Sequence, residues 1–108
     1  MDARAVLLLT TMPDDDAAAT LAQTLVDERL AACVNVLPPM QSTYRWQERV
    51  ETAAERQLIM KTTAARLDAL KARLEELHPY EVPEILVIDV ASGGEAYLAW
   101  VAESTSPA

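Results

Sequence analysis

Ala5-Val6-Leu7-Leu8-Leu9, near the start of the chain, and Ile85-Leu86-Val87-Ile88, near its end, contain no polar residue. A strand with one wet face alternates apolar and polar side chains, whereas a strand that reads as continuous hydrophobe is covered on both sides. Each run is short and closed by turn chemistry, Thr10-Thr11-Met12-Pro13 after the first and Ser92-Gly93-Gly94 beyond the second. Both predict strands buried on two faces. What lies between them decides what can do the covering.

Working outward from the first run, Asp14-Asp15-Asp16 opens a helix, with acid where the positive end of the helix dipole favours it. Ala18, Leu21, Ala22, Leu25, Val26 and Leu30 give that helix one apolar face. Cys33 to Leu37 is strand-like, Pro38-Pro39 interrupts its ladder, and Ser42-Thr43-Tyr44-Arg45-Trp46 resumes it as a long, bent edge strand. Polar Gln47 to Ala54 reads as the hairpin region, and Glu55 to Thr62 as a third strand. Thr62 or Thr63 can cap a second helix carrying Leu67, Leu70, Leu74 and Leu77, which His78-Pro79 stops. After Ile85–Ile88, Glu95 to Glu103 forms a short final helix.

The order β-α-β-β-α-β with a terminal helix is the split βαβ, ferredoxin-like pattern of an α+β domain. Right-handed crossovers lay both main helices on one face of the sheet. The short final helix cannot cover the other face, which would exceed the few hundred Å² of apolar surface that monomers usually expose. Another copy of the chain is the natural cover, so the sequence predicts a homo-oligomer.

The 108 residues have room for one domain, residues 1–108, and 51% of them are hydrophobic, which excludes a disordered tail. Phe is absent, so the core must be aliphatic. The net charge of -8, from 17 acidic and 9 basic residues, argues against a surface that tracks nucleic-acid phosphates. No apolar run approaches the roughly 20 residues needed to span a bilayer, and Met1-Asp2-Ala3-Arg4 does not open a secretory signal, so a cytoplasmic protein is expected. Cys33 is the only cysteine and reads as a small apolar residue at a strand start.

No phosphate loop, nucleophile elbow or HExxH motif is present, and no nucleophile–base pair stands out, so an enzyme is not expected. His78-Pro79-Tyr80-Glu81-Val82-Pro83-Glu84 is the segment richest in chemistry: two prolines stiffen a loop bearing an imidazole, a phenol and two carboxylates. His78, Glu81 and Glu84 are donor types that suit a divalent ion such as Cu(II) or Zn(II); alternatively, His78 and Glu81 only satisfy backbone groups at a helix end. Tyr44 and Trp46, two apart on a strand, share one side of it, either as packing and interface residues or as the wall of a ligand cleft. Lys61, before Thr62-Thr63, is either a solvated strand end or a charge for an anion.

These stretches, together with Leu30-Ala31-Ala32-Cys33-Val34-Asn35, Lys61-Thr62-Thr63 and Tyr97-Leu98-Ala99-Trp100, make the chain resemble the CutA family, the divalent-cation tolerance proteins. The resemblance spans nearly the whole chain. It implies a ferredoxin-like homotrimer packed around a threefold axis and a link to tolerance of copper and other divalent cations. Some members bind copper through a cysteine at the end of the first strand and paired histidines before the Pro-Tyr step. Here Thr10 and Leu77 stand at the cysteine and first-histidine positions, and only His78 remains, so binding should be weaker or use Glu81 and Glu84. Three readings follow: a trimer binding a divalent cation at inter-subunit clefts near His78, Glu81 and Glu84; a trimer similar in architecture to the PII signalling proteins, taking a small organic anion or nucleotide through Lys61, Tyr44, Trp46 and Tyr80; and an adaptor trimer without a ligand.

Overall fold

A computed structural model describes residues 2–107. β1 (Ala5–Pro13) leads into α1 (Ala17–Asp27), followed by β2 (Cys33–Val36), β3 (Met40–Trp46) and β4 (Arg49–Thr63). α2 (Ala64–Leu77), β5 (Leu86–Asp89) and α3 (Glu95–Ser104) complete the chain. The sheet is antiparallel throughout, in the order β2-β4-β1-β5, and β3 runs beside the far half of β4. This is the expected α+β, ferredoxin-like arrangement.

Paired residues share a face, so the register divides the sheet cleanly. Val6, Leu8 and Met12 of β1 lie on the same side as Leu58 and Met60 of β4, and all five are buried. Onto them pack Ala18, Leu21 and Leu25 of α1 and Leu70 and Leu74 of α2, which form one aliphatic core. The opposite face carries Leu7, Leu9, Ile59, Leu86 and Ile88, with Cys33, Asn35 and Lys61 beside them. On this side Leu7 and Leu9 are only half-buried, and Leu86 and Ile88 are 54% and 46% exposed. The continuous hydrophobe of β1 is therefore covered on one side only by its own chain, and that of β5 is not fully covered on either, since Val87 on the helix side is exposed as well. Cys33 is half-buried on this face rather than in the interior.

Several boundaries differ from the sequence reading, each for a local reason. Asp16, at the end of the acidic run, is the N-cap of α1 without a side-chain bond of its own, and Asp15 Oδ1 just before it accepts the Ala17 N–H at 2.8 Å. α1 ends in a Schellman motif: Arg29 is left-handed (φ 61°), its N–H bonds the Val26 carbonyl at 3.0 Å, and the Leu30 N–H bonds that of Leu25 at 3.0 Å. Leu30 is thus folded back onto the core from beyond the helix. Neither threonine caps α2 by its side chain; the Arg4 and Asp2 carbonyls take the N–H groups of Ala64 and Ala65 at 2.8 and 2.9 Å, and the Thr62 hydroxyl donates to the Leu30 carbonyl at 2.7 Å. The expected bent edge strand is two strands, β2 and β3, on one partner, and the hairpin is much tighter than the polar stretch suggested. Trp46 pairs with Arg49 across only Gln47 and Glu48, both left-handed (φ 49° and 65°). β4 thereby begins at Arg49, and Arg49–Ala54 with β3 forms an arm.

The helix α2 stops at His78, which is buried. Its Nδ1 accepts the Tyr80 N–H at 3.1 Å, so Nε2 carries the proton and donates it to the Thr11 carbonyl at 2.9 Å, with the Thr10 hydroxyl 3.1 Å away. The imidazole pins the end of α2 to β1 as a neutral ring. Burial pulls its pKa below the ordinary value of about 6.5, only partly opposed by the Thr11 carbonyl and the Glu55 charge.

Left-handed backbone costs an L-residue about 1–2 kcal/mol, so Glu48→Gly should raise stability by roughly 0.5–1 kcal/mol after the entropy glycine brings to the unfolded chain. An unchanged or lower urea midpoint would contradict the turn geometry. For His78, the unfolded chain takes up the proton more readily than the folded one. Its stabilising contribution is therefore complete above about pH 6.5 and is lost as pH falls below it. Urea midpoints measured from pH 7.5 to 5 should show that loss, and His78→Gln should flatten it; an equal slope in the variant would move its cause elsewhere.

Candidate functional site

The loop after α2 crosses the edge of β1 that β5 leaves free and turns its side chains towards the arm. Pro79 and Pro83 fix φ on either side of Tyr80-Glu81-Val82, so few conformations are lost when the loop docks. The Tyr80 ring lies against His78, centroids 4.9 Å apart, and its hydroxyl donates to Glu55 Oε2 at 2.6 Å. Burial first, and then the Glu55 hydrogen bond and charge, hold the phenol far above its ordinary pKa, so it remains a donor. Further along, Glu84 Oε2 accepts from the Gln57 side-chain amide at 2.9 Å, and that amide also reaches the Thr10 carbonyl at 2.8 Å.

Across from the loop, Tyr44 pairs with Glu51, Ser42 with Ala53 and Met40 with Glu55, so the side chains of these residues share one face of the arm. Loop and arm enclose a cleft of about 930 Å³, lined among others by Tyr44, Trp46, Glu51, Glu55, Tyr80, Glu81 and Glu84. Every charged group of the lining is a carboxylate. Glu55 is the deepest of them, 6% exposed. No lysine or arginine among the described residues pairs with it, and its one hydrogen bond is the Tyr80 phenol. A buried carboxylate held by a single phenol is short of positive charge.

Of the residues picked out in the sequence, Tyr44, Trp46, Tyr80, Glu81 and Glu84 are brought together here. Lys61 does not line the cleft: its Nζ bonds Asn35 Oδ1 at 2.5 Å and lies 4.0 Å from Cys33 Sγ, on the uncovered face. His78 stands behind the loop with both ring nitrogens engaged. His78, Glu81 and Glu84 do not form one ligand set within a chain, because the imidazole spends its lone pair on the Tyr80 N–H. No group of three His, Cys, Asp or Glu close enough to hold a metal ion occurs among the described residues. Glu51 and Glu55 were missed. Their signal is the two-residue alternation Glu51, Ala53, Glu55, invisible while β4 was taken to start at Glu55.

Comparison with known proteins agrees with the fold at every level. Residues 6–104 match the family described as CutA1 divalent ion tolerance protein. The divalent-cation tolerance protein CutA of Thermus thermophilus is 46% identical over 99 residues, 92% of this chain and 96% of that protein. Protein CutA 1, chloroplastic, of Oryza sativa is 39% identical over 93% of this chain and 56% of its own length. The crystal structure of CutA from Xylella fastidiosa superposes with a TM-score of 0.92 at 43% identity, covering 95% of this chain and 99% of that one. No described helix is long and apolar enough to cross a membrane. With a family match over most of its length, close relatives and a shared backbone, this chain belongs to the CutA family of divalent-cation tolerance proteins.

Proposed function

We propose that the chain works as a homotrimer that binds divalent cations, copper or zinc, in clefts completed where copies meet, without catalysing a reaction. The observation that carries this reading is the all-carboxylate charge of the cleft, Glu51, Glu55, Glu81 and Glu84. It is an environment for cations, and the names of the relatives point the same way. Glu81 and Glu84 are the ligands this chain offers from the loop. His78 joins them only by giving up the Tyr80 N–H that its Nδ1 lone pair accepts. A full coordination shell draws further donors from a second copy or from water. The alternative, an organic anion held as in a PII-like trimer, loses its cation once Lys61 is spent on Asn35 outside the cleft. A cytoplasmic setting belongs to the same reading, supported by the free thiol of Cys33, which suits a reducing compartment.

The trimer rests on the face bearing Leu7, Leu9, Ile59, Leu86 and Ile88, which no element of the chain fully covers. Sedimentation equilibrium should give three times the chain mass, and Leu86→Lys with Ile88→Lys should dissociate it. A well-folded wild-type monomer at micromolar concentration would end the proposal. Calorimetric titration with Cu(II) and Zn(II) should find saturable binding, weakened about ten-fold or more by Glu81→Gln or Glu84→Gln. Binding that ignores both substitutions removes the loop carboxylates from the site; no binding at all removes the metal.

A further inference from the structure

We infer that the free edge of β4 binds an extended, basic segment of another protein as an added strand. The alternation of the hydrogen-bond ladder shows which backbone groups are free. Trp46 and Arg49 close the two-residue turn and form a bonded pair, and alternation makes Tyr44–Glu51, Ser42–Ala53 and Met40–Glu55 bonded pairs as well. The Leu37 N–H on the Gln57 carbonyl, at 2.9 Å, keeps the same parity further along β4. Val50, Thr52 and Ala54 therefore aim their N–H and C=O groups at the opposite edge. There β1 stops at Pro13, opposite Glu55, and the chain turns away into α1. No backbone partner for these groups occurs among the described residues.

An unpaired edge is a template for another strand, and sheets guard such edges with charge or proline. The other free edges here are guarded: β2 runs into Pro38-Pro39, β3 carries Arg45 and β5 ends on Asp89. The outward-bonding residues of β4, Val50, Thr52 and Ala54, include neither. From Arg49 to Ala54 the edge runs about 20 Å, room for a strand of ordinary length. Ala54 and Pro13 both line the cleft, so the edge opens into it. A strand laid there sends alternate side chains to opposite faces. One set shares the side of Thr52 and of Val50, which is 66% exposed. The other set faces Glu51 and Glu55, with Glu81 across the cleft. Every charge it meets there is negative, so this second set consists of Lys or Arg. The carboxylates fix the charge of the partner; the free ladder fixes its extended form, as in strand-addition complexes. No strand of this chain alternates basic residues in that way, which makes the partner a different protein.

The inference goes beyond the cation reading: it uses the same acidic lining but no metal, so the Cu(II) and Zn(II) titrations succeed or fail apart from it. The test is calorimetric titration of the assembled protein with an acetylated heptapeptide of alternating Lys and Thr, and with the same peptide N-methylated at each Thr. Both carry the same charge, but the second lacks the N–H groups that would meet β4. The first should bind saturably and the second at least about ten-fold more weakly, the scale of one or two lost hydrogen bonds. Thr52→Pro removes an outward N–H without touching the β3 ladder and should weaken the first peptide by about ten-fold. Gln41→Pro, on the outer edge of β3, should leave binding unchanged. Equal binding of the two peptides would mean diffuse attraction to an acidic protein and would overturn the inference, as would the absence of saturable binding. If Thr52→Pro does not fold, amide exchange of the unsubstituted protein decides. Val50, Thr52 and Ala54 should exchange fast alone and at least about ten-fold more slowly with the peptide bound. Slow exchange before any peptide is added would mean that a second copy already holds the edge, and would overturn the inference as well.

Discussion

Nine successive residues of β1 pair with β4, from Ala5 opposite Thr63 to Pro13 opposite Glu55, and the rest of the molecule is set by that ladder. A slip of β4 by one residue would turn Leu58 and Met60 out of the core and bring Gln57, Ile59 and Lys61 in. The register is therefore enforced by burial, at roughly 1.5–3 kcal/mol for each large aliphatic side chain. β2 and β3 both borrow β4, and β5 borrows β1, so each takes its position from the same pairing. The ladder also decides that Glu55 and Gln57 face away from the helices, where the loop after α2 can reach them.

The two faces of the ladder have different fates. Helices α1 and α2 close the inner one with an aliphatic core that needs no phenylalanine. On the outer one, β5 is so short that it shields β1 only from Val6 to Leu9. Beyond Leu9 the edge of β1 is free, and the proline-stiffened loop takes over. One short strand thus leaves both an incompletely covered apolar face and the gap that the cleft-forming loop fills. The uncovered face and the cleft are neighbours because β5 ends where it does.

How far the sequence could be read follows from which signals are local. The helices and the apolar strands showed themselves through periodicity, and the two-sided hydrophobicity of β1 and β5 anticipated the uncovered face. The arm was hidden because its turn, Gln47-Glu48, has left-handed backbone without the Asn or Gly that usually announces it. With the turn misplaced, β4 lost its first six residues, and Glu51 had no face to be assigned to. His78 was read either as a ligand or as a group satisfying backbone at a helix end, and the structure shows it bonded to backbone. Its role as a pin depends on the Thr11 carbonyl and the Tyr80 N–H, a pairing between the end of α2 and β1 that no sequence spacing reveals. Lys61 was likewise displaced by a partner, Asn35, that only the β2–β4 register brings opposite its neighbour.

The electrostatics of the cleft follow from this chain of contacts. His78 is neutral because burial opposes its charge, and its acceptor nitrogen holds the backbone of Tyr80. Tyr80 so held keeps its proton and donates a hydrogen bond of 2.6 Å to Glu55. Neither partner brings positive charge, although each is the group nearest the buried carboxylate along the chain of contacts. A histidine ion there would have balanced Glu55 from within, leaving Glu51, Glu81 and Glu84 to set the sign of the cleft. By keeping the imidazole neutral and the phenol as donor, the fold gives Glu55 a hydrogen bond without setting a positive group of the described residues beside it. Glu51, Glu81 and Glu84 at the same opening make the charged lining of the cleft uniformly acidic.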